Sequence, residues 1–225
     1  MIKTLRNALK VKEIRDRLLF TFLALIIVRI GCQLPVPEVD REYFQYWMTM
    51  QTGFGFLNTL TGGSFSQMSI FALNISPYIT SSIIMQLLTI AIPKLEEMQK
   101  DGESGRKKIA EWTRYVTIGL AVFESIMMTI GFNNSGLLEE GNLFLQICVI
   151  TASFTAGSAF LMWLGEQITE KGIGNGISVI LLINIVASLP TDFTGLYNQF
   201  IVGADNVVKA VIAAVIIGVI VIYLV

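Results

Sequence analysis

Apolar positions in this chain gather into long runs instead of alternating or marking one helix face. The runs cover roughly 18–35, 75–92, 115–132, 143–164 and 207–225, and a further one begins at 177. A helix rising 1.5 Å per residue needs ~20 apolar residues to cross ~30 Å of hydrocarbon. The pattern therefore predicts an all-α polytopic membrane protein with about six spans. The run from 177 stays apolar only to 189, so it must either continue through Pro190 to 196 or sit partly within protein. The second span is broken, because Asn74, Ser76 and Pro77 interrupt the apolar stretch from Phe71 to Leu88. A short amphipathic piece, 53–66, precedes that break. Backbone freed from helical bonding inside a bilayer must be buried in protein or line a wet cavity, so a broken apolar helix predicts a pathway.

Between the runs, the segments 1–17, 36–53 and 93–114 read as a basic terminus, an outer loop and an inner loop, and no repeat or low-complexity tract appears. Hydrophobic residues make up 53% of the chain and charged residues 15%, against about 25% charged in soluble domains. A core of this size cannot hide that excess, which places the chain in a membrane. Histidine is absent, which removes the commonest general base and metal ligand. Cys32 and Cys148 lie in apolar context without CxxC spacing and are expected as two buried free thiols, so neither zinc nor redox chemistry is implied.

The placement of charge orients the spans. Lys3, Arg6, Lys10, Lys12, Arg15 and Arg17 precede the first run; Lys94, Lys100, Arg106, Lys107, Lys108 and Arg114 fall in 93–114, and Lys171 follows the fourth span. The other side has only Arg41 and Lys209, among Glu38, Asp40, Glu42, Glu139, Glu140, Asp192 and Asp205. By the positive-inside rule the amino terminus is cytoplasmic. A basic start followed by an apolar run also describes a signal peptide. This run is longer, contains Arg29 and ends in Leu34-Pro35-Val36-Pro37 without a small-residue cleavage site, so it reads as a retained first helix. The last run reaches Val225 without a polar flank, which predicts a truncated sixth span.

Several motifs admit two readings. The piece 53–66, ended by the helix-breaking Gly62-Gly63, is either an interfacial helix or a short helix folded back into a cavity mouth. Ile75 and Ile79 flank the break at i, i+4 and so face one direction; they either form a dry constriction or pack against a neighbouring helix. Lys171-Gly172-Ile173-Gly174-Asn175-Gly176 superficially suggests a phosphate loop, but its spacing matches no nucleotide motif. A tight re-entry turn is the better reading. Arg29 and Glu124 fall at similar depth, roughly 15 Å from the cytoplasmic side, and are expected to pair or to line one cavity. A proton relay would want further ionisable groups. Glu166 lies at the cytoplasmic end of its span and is expected to anchor it.

Longer strings carry a family resemblance. They are Arg29-Ile30-Gly31 with Leu34-Pro35-Val36-Pro37, Gly62-Gly63, Ser69-Ile70-Phe71-Ala72-Leu73 and Pro77-Tyr78-Ile79. Further along come Gly102-Glu103-Ser104-Gly105-Arg106-Lys107-Lys108-Ile109, Thr113-Arg114-Tyr115, and Trp163-Leu164-Gly165-Glu166-Gln167-Ile168-Thr169 running into Gly172-Ile173-Gly174-Asn175-Gly176-Ile177-Ser178. In this order they resemble the SecY family of protein-conducting channels over most of the chain.

The resemblance implies an hourglass channel of ten helices in two inverted halves, of which this chain would supply the first half and part of the sixth helix. By matching position, 53–66, with Phe56, Leu57, Leu60, Gly62, Gly63 and Ser64, resembles the plug of the outer funnel. Ile75, Ile79, Ile177 and Leu181 fall at the aliphatic pore ring, and Thr80, Ile83 and Gln86 on the helix that forms one side of the lateral gate. Arg106, Lys107 and Lys108 resemble a cytoplasmic contact loop. Asn74 departs from the family, standing where small residues are common. The implied partners are SecE, SecG, the SecA motor or the ribosome, signal peptides and preproteins, membrane lipid, and the missing C-terminal half. The implied location is a bacterial plasma membrane, with no enzymatic activity, metal or cofactor. Two rival classes are a small-molecule or ion-coupled secondary transporter, which would want more polar groups at mid-membrane, and a membrane hydrolase, which would want a nucleophile–base pair.

Overall fold

A computed structural model describes residues 11–50, 54–138 and 141–197. The expected sixth span 207–225, together with Lys3, Arg6, Lys10, Gly53, Glu139, Glu140, Asp205 and Lys209, lies outside the described residues. Eight helices are described: α1 (Lys12–Gly31), α2 (Arg41–Met50), α3 (Gly55–Leu60), α4 (Ser76–Ala91), α5 (Pro93–Lys100), α6 (Glu103–Asn134), α7 (Leu143–Lys171) and α8 (Gly176–Tyr197). Among the described residues extended pairing is limited to two isolated bridges, Pro35 with Ser69 and Val39 with Leu138.

Three helices, α6, α7 and α8, are long and apolar enough to cross a membrane, and α4 with α5 makes a fourth candidate if that bent pair is one span. α1 has its apolar run, but its 20 residues also hold Arg15, Asp16, Arg17 and Arg29. Its buried residues Ala24, Val28 and Gly31 form a narrow stripe, while Leu19, Phe22, Leu23 and Ile30 are exposed. An apolar helix buried on one stripe and exposed elsewhere suits a lipid environment.

The expected loop 93–114 is mostly helical. α4 ends at Ala91, Ile92 is extended, and Pro93 opens α5 at an angle of 101° to α4. Proline suits a helix start, where its missing N–H costs no intrahelical bond. α6 then begins at Glu103, so the third span extends well past its apolar run. Its first turns carry Glu103, Arg106, Lys107, Lys108 and Glu111, which water solvates and which are mostly good helix formers. The expected loop 36–53 likewise contains α2. Asp40 Oδ1 accepts the Tyr43 N–H at 3.0 Å, capping the helix, while Phe44, Trp47 and Met48 pack on one face.

α4, α6 and α7 pack through small and hydroxyl-bearing residues. The buried side of α6 repeats every fourth position: Thr113, Thr117, Ala121, Ser125 and Thr129. Thr117, Ser125 and Thr129 donate to carbonyls four residues back, and Ser81 of α4 meets Thr117 at 2.5 Å. Small side chains let backbones approach closely where lipid supplies no hydrophobic drive. At the basic end Arg114 Nε reaches Glu166 Oε1 at 2.8 Å, tying α6 to α7.

The core divides into two clusters. One joins Val36, Val39, Phe44, Phe65, Met68, Ala72, Leu73, Phe132, Leu137, Ile150 and Phe154. The other joins Ala24, Val28, Cys32, Phe71, Ile75, Leu161, Leu164, Ile168 and Ile180. Cys32 is buried as expected, but Cys148 is exposed. The correction has a simple cause: on a membrane helix, apolar sequence surroundings do not mean an interior position.

Candidate functional site

The site is built where the second span breaks. Asn74 adopts a left-handed conformation (φ 52°), and Ile75 precedes the first turn of α4 without a side-chain cap. Asparagine is one of the few L-residues that enter this region readily. The reversal turns Ile75 inward, where it is 1% exposed. Ile79, one helical turn on, lies at the edge of the same cluster, as do Ile177 and Leu181 from the start of α8. The four aliphatic residues singled out in the sequence thus meet around one cluster, with Ile75 inside it and the other three half-buried at its margin. Ile180, fully buried between Ile177 and Leu181, is the member that sequence reading missed. Alternation of buried Ile180 with its half-buried neighbours is visible only once the helix is placed.

The glycine-rich turn sets where α8 enters. A Cβ on Gly176 would overlap the Gly165 carbonyl, so backbone approaches backbone there. Thr169 Oγ1 accepts the Gly176 N–H at 2.8 Å, and Asn175 Oδ1 accepts those of Ile177 and Ser178 at 3.1 and 3.3 Å. These three amides are already occupied by the chain's own side chains, as a tight turn entering α8 requires.

The segment 54–75 packs onto the bundle, its Phe54 and Phe65 against the first cluster and its Phe71 and Ile75 within the second. Gly62 and Ser64 are buried, Leu60 and Gly63 half-buried, and Phe56 and Leu57 exposed. Gly62 has φ 65°, and a Cβ there would stand 2.9 Å from the Asn184 Cα and carbonyl oxygen. Only glycine meets both demands at this position. Arg29 Nη1 donates to the Gly62 carbonyl at 3.2 Å and lies 3.5 Å from Asn184 Oδ1. It makes no ion pair with Glu124 among the described residues, which corrects the pairing expected from depth. Counting residues along a helix fixes depth but not azimuth, and the azimuth sends Arg29 towards Gly62 and α8.

A cavity of about 540 Å³ opens on the basic side of the cluster. Ile79, Ile83 and Ile177 line it along with Tyr78 and the Arg114–Glu166 pair. Thr80, Ile83 and Gln86 are exposed on α4, opposite its buried positions Pro77, Ser81, Met85 and Thr89. Gln86 and Arg106 both line an adjoining cavity of about 230 Å³, whereas Lys107 and Lys108 are exposed to solvent. Among the described residues no group of three acidic, Cys or His side chains could hold a metal ion.

The relatives of the chain agree with this architecture. A family model described as SecY matches residues 69–225. The protein translocase subunit SecY of Bacillus subtilis is 46% identical over 233 residues, covering 98% of this chain and 54% of the relative. That of Thermotoga maritima is 42% identical, covering 85% and 47%. The chain therefore spans about half the length of the curated relatives it matches. Sec61 in the canine ribosome–channel complex superposes with a TM-score of 0.62 at 21% identity, over 95% of this chain and 48% of that one, which shows a shared fold. A family match across more than half the sequence, with relatives 46% and 42% identical over most of it, settles the point: the chain belongs to the SecY family.

Proposed function

We propose that this chain is the front half of the central channel of the general secretory translocon. In that role it passes unfolded preproteins across the membrane and releases apolar segments sideways into lipid. The observation that carries the reading is the convergence of Ile75, Ile79, Ile177 and Leu181 on one aliphatic cluster, with a cavity open on the basic side. Aliphatic side chains at a waist exclude water and ions, yet they yield to a passing chain because no directional bond must break. The segment 53–66 supports that seal as a plug. Thr80, Ile83 and Gln86, exposed on one side of α4, form one wall of the lateral exit, where an apolar signal peptide partitions towards lipid.

The other wall and the rest of the waist come from a C-terminal half. SecE and SecG complete the complex, and SecA or a ribosome supplies the drive. No bond is made or broken in this role, so the chain is not an enzyme. The basic side, carrying Arg106, Lys107 and Lys108, faces the cytoplasm of a bacterium, and the channel sits in its plasma membrane. A transporter would need ionisable groups free to face the break; Arg29 is instead occupied by the Gly62 carbonyl and Asn184.

The test is a lone cysteine at Ile79, in a Cys32→Ser, Cys148→Ser background, assembled with a C-terminal half and SecE. A stalled secretory chain bearing one cysteine is expected to cross-link there. No cross-link in a correctly folded assembly would remove Ile79 from the translocation path.

A further inference from the structure

α8 is apolar along most of its length, yet it carries polar side chains at 184, 188 and 192, four residues apart and so on one stripe. All three meet the folded-back segment or its anchor. Asn184, 1% exposed, donates from Nδ2 to Asn74 Oδ1 at 3.2 Å. Asn74, 2% exposed, donates from its own Nδ2 to the Leu60 carbonyl at 3.1 Å. Arg29 Nη1 closes the circuit between Asn184 Oδ1 and the Gly62 carbonyl. Further out, Ser188 Oγ lies 3.4 Å from the Thr59 carbonyl, and Thr59 Oγ1 donates to Asp192 Oδ2 at 3.2 Å.

We infer that Asn74, Asn184 and Arg29 form a polar latch that grips the Leu60 and Gly62 carbonyls and holds the segment 55–66 in place against α1, α8 and the break. The inference rests on the reading of that segment as a plug. It adds which groups hold the plug and what must happen for it to leave. The Gly62 carbonyl is held by a side chain of α1 and the Leu60 carbonyl by one from the break, and the amide of Asn184 joins the two grips. The buried Asn74 and Asn184 amides and the Leu60 and Gly62 carbonyls are partnered through one another and through Arg29 Nη1, so the arrangement holds together without bridging water at these groups. Lifting the segment orphans the Leu60 and Gly62 carbonyls, the Asn74 amide and the Arg29 guanidinium together. Buried polar groups do not remain without partners, and a membrane-embedded guanidinium least of all. Plug departure is therefore tied to water entering the waist, and the two occur as one event.

The circuit has a built-in selectivity for its residues. Asn74 must be left-handed and must also donate and accept at once. Glycine satisfies only the first demand, and leucine satisfies neither. At 184 an apolar residue of similar size keeps the packing of α8 but cuts the link between the two grips.

The test uses the assembled channel at rest in lipid nanodiscs, with Cys32 and Cys148 replaced by Ser. Ser64, 1% exposed, becomes the reporter as Ser64→Cys, labelled by a water-soluble maleimide; Phe56→Cys, at a 71% exposed position, is the control. Asn184→Leu is expected to raise the labelling rate at Ser64→Cys roughly tenfold, as loss of a buried hydrogen-bond partner implies, and to leave Phe56→Cys unchanged. Asn74→Gly is expected to act in the same direction. The double variant should fall short of the product of the two factors, because both cut one circuit. If Asn184→Leu assembles poorly, Asn74→Gly with amide exchange at Thr61 and Phe65 reads the same opening. Unchanged labelling and exchange in correctly assembled variants would overturn the latch. Because this readout involves no translocating chain, its failure is separable from failure of the Ile79 cross-link.

Discussion

The folded-back segment is held differently along its two sides. Towards α2 it packs by ring contacts: Phe65 stands edge-on to Phe44 at 5.7 Å and Phe54 meets Trp47 at 5.5 Å, while Phe44 meets Phe132 at 5.4 Å. Towards α8 it is held by named hydrogen bonds to Asn74, Arg29 and Asp192. Ring packing is graded, many small contacts that weaken gradually as surfaces separate. A buried polar circuit is satisfied or broken. On the proposed reading, the first fixes where the segment belongs and the second decides when it leaves.

The largest expected effect breaks the ring side. Phe44, fully buried, changed to Ala should cost about 3–5 kcal/mol of stability, read as a lowered thermal unfolding midpoint in detergent. A near-neutral result would mean that the aromatic side contributes little to anchoring. Gly62→Ala strikes the other side, combining a positive φ with the close approach of Asn184. It should cost about 1–3 kcal/mol and expose Ser64→Cys to labelling, unlike Phe44→Ala with its global loss. Thr117→Val removes the hydroxyl that faces Ser81 between α4 and α6. Hydrogen bonds between membrane helices average about 0.6 kcal/mol, so only a small drop in midpoint is expected and no change in labelling at Ser64→Cys. Arg114→Gln should matter least, within about 1 kcal/mol, because the Arg114 and Glu166 side chains remain 48% and 27% exposed. A loss that vanishes at high salt would identify that small effect as electrostatic.

What the sequence made legible follows from what one-dimensional patterns can carry. The apolar runs and the Asn-Ser-Pro interruption locate α4, α6, α7 and α8, since hydropathy and helix breaking are local properties. α2 has a local signal as well, since Asp40 followed by Phe44, Trp47 and Met48 is a cap ahead of a helical apolar face, though it lacks the long apolar run that marks a span. α5 and the early start of α6 escaped because charged helix turns in water look like loop when apolar runs are the guide. The ring candidates could be placed through i, i+4 spacing and family resemblance. Asn184 could not, because its partner Asn74 lies 110 residues away and nothing local announces the pairing. Arg29 shows the same limit, since its partner carbonyl belongs to a segment that turns back only in three dimensions.

The most direct test of the account is ion conductance through the resting assembled channel. Ile79→Ser with Ile177→Ser should make the otherwise closed channel leak, because hydroxyls at the margin of the aliphatic cluster admit water while the plug side chains are unchanged. A control replacing exposed Leu182, away from the cluster, should stay closed. If the Ile79→Ser, Ile177→Ser channel assembles normally and remains as tight as the parent, these residues are packing alone, and the aliphatic seal is the wrong account of this site.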